Sequence, residues 1–298
     1  MDNIIFGKYK KDHVIWGYIF ILPTAIGLIL LNIWPAIQTF ILSFQKSTGF
    51  GNTVWVGITN YQKLLGDKEV LQSLINTLIY AMVSIPLIVV LSLIVAVLMN
   101  QKVKGISVYR TLYFLPVVAA PSAVAMIWRW MFNNEFGLIN NLLLKIGVQG
   151  PAWLSDPSIA IYSVIIVGVW SAIGYNMVLL LAGLQEIPRD YYEAADIDGA
   201  SSWQQFSNIT LPLVTPTLFF VVITTVINSF QVFDAIFMMI AASSEAMYKT
   251  QSLAYLFYKY SFLLNDKGYG SAIVMLLLLI ILIITFIQMK LQKHWVNY

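Results

Sequence analysis

Six long apolar runs divide the chain, and they alternate with shorter segments that hold most of the charged residues. Each run matches or exceeds the roughly 20 residues that an α-helix needs to cross the core of a bilayer. The pattern therefore predicts an all-α polytopic membrane protein with six transmembrane helices in a single domain. The six runs cover residues 14–44, 74–99, 108–131, 159–184, 209–240 and 269–289 of the chain 1–298.

The composition agrees with a membrane protein. Of all residues, 59% are hydrophobic and only 10% are charged, which is too few charges for a soluble domain. The net charge of +3 is small and its lysines are scattered along the chain, so no nucleic-acid partner is expected.

Sequence motifs for catalysis are absent. The chain lacks the phosphate-binding G-x-x-x-x-G-K-[ST] pattern of an ATPase and the H-E-x-x-H and G-x-S-x-G patterns of hydrolases. There is no cysteine, and the two histidines, His13 and His294, lie near the chain ends. We therefore expect no catalytic residue, no metal and no other cofactor in this chain. A membrane-embedded enzyme would need His, Asp or Glu residues clustered near one membrane face.

Charged residues are nearly absent from the cores of the apolar runs, and the polar residues found there are uncharged. An ion-coupled carrier usually needs an ionisable group at mid-membrane. Hydroxyl and amide groups could be contacts between helices, but together they also suit a neutral solute rich in hydroxyl groups. The set consists of Ser122 in the third run, Ser171 and Tyr175 in the fourth, and Thr224, Asn228 and Gln231 on one face of the fifth.

A polar stretch between the fourth and fifth runs is predicted to form two short helices joined by a tight turn. Pro188 suits a first helical turn, and the Glu-Ala-Ala at 193–195 favours a helix. Gly199 can end that helix in a left-handed conformation. Ser201 and Gln204 form a capping box that starts the second helix. Such a compact pair could dock into a groove of a partner, and a solvated loop is the simpler alternative.

The spacing within this stretch resembles the EAA motif of permeases from binding-protein-dependent ABC importers. All seven motif positions are filled, from the Glu-Ala-Ala at 193–195 to Pro212. The resemblance implies a type I ABC importer permease fold in which residues 185–212 are cytoplasmic coupling helices. The residues implied in coupling to the ATPase are Glu193, Ala194, Ala195, Asp198, Gly199, Ile209, Leu211 and Pro212.

A wider resemblance covers nearly the whole chain and is to the carbohydrate branch of these permeases. It rests on residues 17–23, 34–35, 42–44, 76–78 and 109–116, and within the branch it is similar to the maltose and glycerol-3-phosphate type. The extra N-terminal spans and the large outer domain of the enterobacterial maltose permease have no counterpart here. The resemblance implies substrate contacts from Ser122, Tyr175, Thr224, Asn228 and Gln231, of which Thr224 and Gln231 look like replacements by similar polar residues.

These resemblances imply the permease subunit of an ATP-driven importer for a sugar or oligosaccharide. The implied partners are a second, homologous permease in a heterodimer, two cytoplasmic ABC ATPase subunits that use ATP and Mg, an extracytoplasmic solute-binding protein and membrane lipid. An importer of another polar solute, such as glycerol-3-phosphate, is the alternative, and an ion-coupled six-span carrier is a weaker one.

The resemblance also implies a bacterial cell-membrane location, with both termini and the 185–208 loop in the cytoplasm. Nine of the 17 Lys and Arg residues then lie inside, including Lys8, Lys10 and Lys102, and eight lie outside. This charge asymmetry is weak support, so the expected orientation depends mainly on the resemblance.

Overall fold

The computed structural model describes residues 11–49, 52–101 and 104–295, which form helices and one β-hairpin. Lys8, Lys10, Lys102 and both chain ends lie outside the described residues, as do the side chains of His13 and His294. In chain order the elements are α1 (Lys11–Leu28), α2 (Trp34–Leu42), β1 (Gln45–Gly49), β2 (Asn52–Trp55), α3 (Thr59–Gly66), α4 (Lys68–Met99), α5 (Ile106–Val118), α6 (Pro121–Met131), α7 (Leu138–Lys145), α8 (Ala160–Gln185), α9 (Asp190–Ile197), α10 (Ser202–Gln205), α11 (Leu211–Phe230), α12 (Asp234–Met239), α13 (Glu245–Tyr248), α14 (Leu253–Tyr258) and α15 (Lys267–Trp295). Three π-helical turns, Ile29–Ile33, Phe206–Thr210 and Lys259–Leu263, join or extend these helices.

Membrane-spanning helices agree with the predicted runs. In the described part of the chain, five helical stretches are long and apolar enough to cross a membrane, and α5 with α6 makes a sixth if the two count as one span. The all-α polytopic fold is therefore confirmed. The five stretches are Trp16–Leu42, Lys68–Met99, Ala160–Gln185, Ser202–Phe230 and Lys267–Lys293.

The third span is not a straight helix, and its sequence contains two prolines, Pro116 and Pro121. Its halves α5 and α6 meet at an angle of 100°. Ala119 and Ala120 have extended backbones (ψ 142° and 132°) at the corner. Pro121 is the physical reason, because its ring disfavours helical geometry in the residue before it. The helix restarts at Pro121, where a missing N–H costs nothing.

The fourth span, α8, lies against α4, α5 and α11 and reaches all three through glycines. At each crossing the neighbour approaches so closely that a Cβ atom on the glycine would clash with it. Small residues allow this close packing of membrane helices. The contacts pair Gly168 with the Tyr80 hydroxyl, Gly174 with the Tyr113 carbonyl group and Gly183 with the Thr217 hydroxyl.

The first span stands apart from the other helices. No residue from Trp16 to Leu42 is buried, although this helix has the apolar composition of a membrane span. Its C-terminal half, α2, contacts α15. The rest of its surface is available to lipid or to another protein.

Residues 45–72 lie between the first two apolar runs, where the pattern predicts a loop, but they contain the β1–β2 hairpin, α3 and the start of α4. The hairpin is antiparallel and pairs Gln45 with Trp55. Asn60 in α3 donates hydrogen bonds to the carbonyl groups of Ser43 (2.9 Å) and Gln45 (2.8 Å). These long-range bonds hold the hairpin in place, and the local sequence pattern does not reveal them.

Residues 241–268 were also expected to be a loop, and instead they form α13, α14 and a π-helical turn before α15. Glu69 at the start of α4 binds this segment. Its carboxylate accepts hydrogen bonds from Lys259 (2.6 Å), Gln251 (3.1 Å) and Tyr260 (3.2 Å). Burial and then the charge of Glu69 raise the pKa of Tyr260 to about 12, so this hydroxyl stays a donor to Glu69.

The fifth span ends earlier than the apolar run predicts. Helix α11 stops at Phe230, and residues 231–233 separate it from α12. The Ser252 hydroxyl donates a hydrogen bond to the carbonyl group of Val232 (2.6 Å), in place of a helical N–H. A contact with a distant segment thus ends the helix, and Asp234 belongs to α12.

The glycine crossing at Gly174 can be tested by stability. In Gly174→Ala the new Cβ would meet the backbone of α5, which cannot move aside as a flexible side chain could. We expect a loss of about 1–3 kcal/mol, typical of overpacking, measured as a lower melting temperature of the detergent-purified chain. Gly27→Ala is the matched control, because nothing lies within 4 Å of the added Cβ. Equal melting of the two variants would contradict the crossing.

Candidate functional site

From the contacts that α8 makes with α5 and α11, we infer a groove that has α8 as its floor. The two glycine contacts define its walls, since Gly174 touches α5 and Gly183 touches α11. Successive residues turn by about 100° around a helix. Viewed down the α8 axis, the direction of Tyr175 therefore differs by about 100° from that of Gly174 and by about 80° from that of Gly183. Tyr175 thus points between the two walls. Its side chain is 45% exposed, so the groove is open along one side of the chain.

Two more predicted residues lie in this groove. Tyr175 is eight residues from Gly183, or about 12 Å along α8, and Thr224 is seven residues from Thr217, or about 10 Å along the antiparallel α11. The two side chains are therefore at the same depth. Asn228 lies one turn further along α11 on the same face. By this helical geometry, Tyr175, Thr224 and Asn228 face the same groove from two spans.

The two remaining predicted contacts lie at helix ends. Ser122 is exposed in the first turn of α6, just after the corner in the third span. Gln231 follows the last residue of α11 as its C-cap (φ −96°, ψ 14°). Its N–H donates to the carbonyl group of Asn228 (3.2 Å), which closes the helix.

Thr224 differs from the other groove candidates because its hydroxyl is already hydrogen-bonded within the protein. Its hydroxyl donates within its own helix to the carbonyl groups of Phe220 (3.0 Å) and Val221 (3.1 Å). The side chains of Tyr175 and Asn228 are exposed and have no hydrogen-bond partner among the described residues. Leaving such groups in lipid is costly. Their surroundings in the membrane must therefore supply water, a solute or another protein.

The corner in the third span adds unpaired backbone groups. The carbonyl groups of Pro116, Val117 and Val118 accept no backbone hydrogen bond within the described part of the chain. Non-helical backbone at membrane depth is tolerated where it is buried in protein or lines a water-filled cavity. The corner therefore also favours a hydrated groove, and Pro116 and Pro121 mark its place in the sequence.

A second feature is the pair of short helices α9 and α10. Gly199 between them has a φ of +76°, which a residue with a side chain adopts at a cost. Its N–H donates to the carbonyl group of Asp196 (3.1 Å), and that of Ala200 donates to the carbonyl group of Ala195 (2.9 Å). This is a Schellman motif, so the predicted helix end at Gly199 is confirmed.

The start of α10 also agrees with the sequence. Ser201 and Gln204 form a capping box, in which the Gln204 side chain accepts from the N–H of Ser201 at 2.8 Å. The predicted role of Pro188 is wrong. Helix α9 begins at Asp190, so Pro188 lies before the helix and not in its first turn.

Helix α10 is not a separate short helix, because it continues through a π-helical turn into α11. The whole helix runs over 29 residues, Ser202–Phe230. Helix α9 is fixed to its base by two side-chain contacts. Tyr192 and Thr210 share a hydrogen bond between hydroxyl groups (2.9 Å), and Gln205 donates to Asp196 (2.6 Å). A displacement of α9 can therefore pass directly to α11, one wall of the groove.

Sequence reasoning missed three exposed apolar side chains on these short helices. Ile197 is 88% exposed, Trp203 is 72% exposed and Tyr191 is 53% exposed. Exposed apolar side chains of this size on adjoining helices favour a surface for another protein. Among the residues chosen from the sequence, Glu193 and Ala194 are exposed and Ala195 is half-buried.

The chain is similar to a known protein family and to several of its members. The profile of the family described as "Binding-protein-dependent transport system inner membrane component" matches residues 54–296. The probable ABC transporter permease protein YesP of Bacillus subtilis (strain 168) is 35% identical over 97% of this chain and 94% of its own length. The trehalose/maltose transport system permease protein MalF of Thermococcus litoralis is 35% identical over 97% of this chain and 98% of its own length.

A solved structure has a similar fold. A crystal structure of a bacterial ABC transporter involved in the import of the acidic polysaccharide alginate contains a chain that superimposes with a TM-score of 0.82. The superposition covers 97% of this chain and 98% of that chain, at 21% sequence identity. At this identity the likeness concerns the fold.

Hydration of the groove can be tested with single cysteines, since the natural chain has none. We expect Tyr175→Cys and Asn228→Cys to react with a water-soluble maleimide, although both residues lie in membrane spans. Leu279→Cys is the control, because Leu279 is 54% exposed on α15 and a thiol in lipid does not form the reactive thiolate. Unreactive cysteines at both groove positions would show that the groove is dry.

Proposed function

The chain belongs to the family of binding-protein-dependent transport system inner membrane components, and from this premise we propose which solute it carries and how transport is driven. Members of this family are transport components, so the chain is a membrane permease subunit and not an enzyme. We infer that it imports a neutral sugar or oligosaccharide through the groove, and that residues 185–212 couple it to ATP hydrolysis.

The uncharged polar lining of the groove carries this proposal. Tyr175 and Asn228 offer hydrogen bonds without a formal charge, which suits the hydroxyl groups of a sugar. The names of three relatives mention trehalose and maltose, lactose, and arabino-oligosaccharides. Another relative is named for sn-glycerol-3-phosphate. A phosphate ester would require a cation, and the five candidate substrate residues include none, so a neutral solute is favoured.

A second permease subunit is the proposed partner within the membrane. The groove is open along one side, and the first span has no buried residue from Trp16 to Leu42. Both surfaces would be covered in a heterodimer that encloses a pathway between two subunits. An extracytoplasmic solute-binding protein would deliver the sugar, as the family description implies.

Two cytoplasmic ATPase subunits, which use ATP and Mg, are the proposed motor. The exposed Ile197 and Trp203 would anchor the docking, and Glu193 would pair with a basic residue across the interface. Closure of the ATPase dimer would then move α9, and the continuous helix Ser202–Phe230 would transmit the movement to the groove. This is alternating access driven from the end of the molecule that carries α9 and α10.

The proposed orientation places that end and both termini in the cytoplasm. An Ile197→Cys variant should then stay unlabelled when intact cells are treated with a membrane-impermeant thiol reagent, and should react after the cells are opened. Ile197 suits this measurement because its side chain is 88% exposed. Labelling in intact cells would reverse the orientation.

Sugar binding in the groove predicts a transport defect. Losing one hydrogen bond typically costs about 0.5–1.5 kcal/mol, so Asn228→Ala should lower uptake several-fold while the protein still assembles. Tyr175→Ala should have a similar or larger effect. Asn141→Ala removes an exposed amide from α7, away from the groove, and is the matched control. Normal uptake by both groove variants would place the sugar elsewhere.

Coupling through α9 and α10 predicts a different defect. Gly199→Val forces a β-branched residue into a left-handed conformation at a cost of roughly 1–2 kcal/mol, without touching the groove. We expect it, like Glu193→Lys and Trp203→Ala, to insert and assemble but to abolish stimulation of ATP hydrolysis by sugar-loaded binding protein in proteoliposomes.

The matched control for this defect is Gly147→Val, since Gly147 also has a positive φ (+78°) and open space around it, but follows α7. It should show normal stimulation. If all three coupling variants were stimulated normally, α9 and α10 would have no coupling role.

A further inference from the structure

A polar cleft separates the short helices from the ends of the neighbouring spans. Its volume is about 930 Å³. One side is formed by Arg110 of α5 and by the end of α4, and the other by Tyr192 and Glu193 of α9 and by α10. Arg189, which caps α9, lines the same cleft. The substrate groove lies further into the membrane, and none of its candidate residues lines this cleft.

Arg110 has more hydrogen-bond donors than the protein uses. One terminal nitrogen, Nη2, donates to the carbonyl group of Met99 at the end of α4 (2.8 Å). Its Nε atom is buried and has no hydrogen-bond partner among the described residues. An unsatisfied buried donor is costly, and the cost is higher for a charged group. An acceptor from outside the chain would remove that cost.

The charges in the cleft favour an anion as this acceptor. Arg110 and Arg189 bring two positive charges, and Glu193 brings one negative charge. Neither arginine forms an ion pair with Glu193 within the described part of the chain. Amide groups of Asn100 and Gln101 also line the cleft. Guanidinium groups bind the oxygens of phosphate with paired, charge-assisted hydrogen bonds.

We propose that this cleft binds a phosphate group through Arg110 and Arg189, either from a phosphorylated sugar in solution or from the headgroup of an anionic phospholipid. The bound phosphate connects α5 with α9 and so holds the short helices against the spans. The consequence for transport rests on the proposed function, since it assumes that α9 must move. Phosphate occupancy then reduces the coupling of ATP hydrolysis to transport.

Binding is measured first, on the purified full chain in nanodiscs that contain only phosphatidylcholine. The probes are inorganic phosphate and glucose 6-phosphate, and the signal is tryptophan fluorescence, because Trp203 packs against Phe206 in the cleft wall (5.6 Å between rings). We expect saturable binding that is at least about tenfold weaker in Arg189→Gln and in Arg110→Gln, equivalent to about 1.4 kcal/mol. Lys104→Gln removes a nearby positive charge outside the cleft and should bind normally.

Two further measurements test whether a variant has failed to fold and whether a lipid supplies the phosphate group. Arg189 is exposed, so Arg189→Gln keeps the test valid if Arg110→Gln, which loses the Met99 contact, fails to fold. Native mass spectrometry of the chain from nanodiscs with phosphatidylglycerol shows whether that lipid stays bound in an arginine-dependent way. Retained lipid without binding of the soluble probes assigns the site to the headgroup. Absence of both, or binding that is equal in wild type and Arg189→Gln, overturns the proposal.

The proposed effect of phosphate on coupling is tested in the assembled transporter, by measuring the stimulation of ATP hydrolysis in proteoliposomes. The bound phosphate should lower stimulation in wild type and not in Arg189→Gln. If phosphate binding depends on the arginines but stimulation is unchanged, the binding site stands and its regulatory role is overturned. Failure of the transport assay in every variant, with phosphate binding intact, would count against the proposed function and not against the phosphate site.

Discussion

The close approach of α8 to its neighbours is the constraint on which the groove depends. Glycine at each crossing lets α4, α5 and α11 come within a distance that any side chain would prevent. The contacts at Gly174 and Gly183 fix where Tyr175 on α8 and the polar face of α11 lie around the groove and how deep they lie in the membrane. A membrane offers little hydrophobic driving force between helices, so close packing must hold them together. The groove is therefore a consequence of three small residues on one helix.

The bilayer explains why the polar features lie where they do. Lipid cannot satisfy an amide, a phenol or a free carbonyl group. The structure nevertheless leaves Asn228, Tyr175 and the corner of the third span without intramolecular partners within the described residues. Tyr175 and Asn228 face the inferred groove, and the corner follows the helix α5 that forms one of its walls. Water and a hydroxyl-rich solute can satisfy them, which links the cost of burying polar groups to transport.

Movement can reach this groove because the fifth span and α10 are parts of one continuous helix. The helix Ser202–Phe230 has the proposed docking surface at one end and Asn228 near the other. Its π-helical turn keeps the helix unbroken, and the contact between Tyr192 and Thr210 fixes α9 to its base. The cleft beside α9 lies where a ligand could oppose that movement, so coupling and its proposed regulation meet at the same helix.

Sequence alone determined the features that depend on neighbouring residues. The apolar runs predicted the spans, and Gly199, Ser201 and Gln204 predicted the end of α9 and the start of α10, because caps are closed by groups a few residues apart. Tertiary structure decided the rest. The hairpin depends on Asn60, the end of α11 on Ser252, and the position of Tyr175 in the groove on contacts at Gly174 and Gly183. These contacts join residues far apart in the chain, so hydrophobic periodicity carries no record of them.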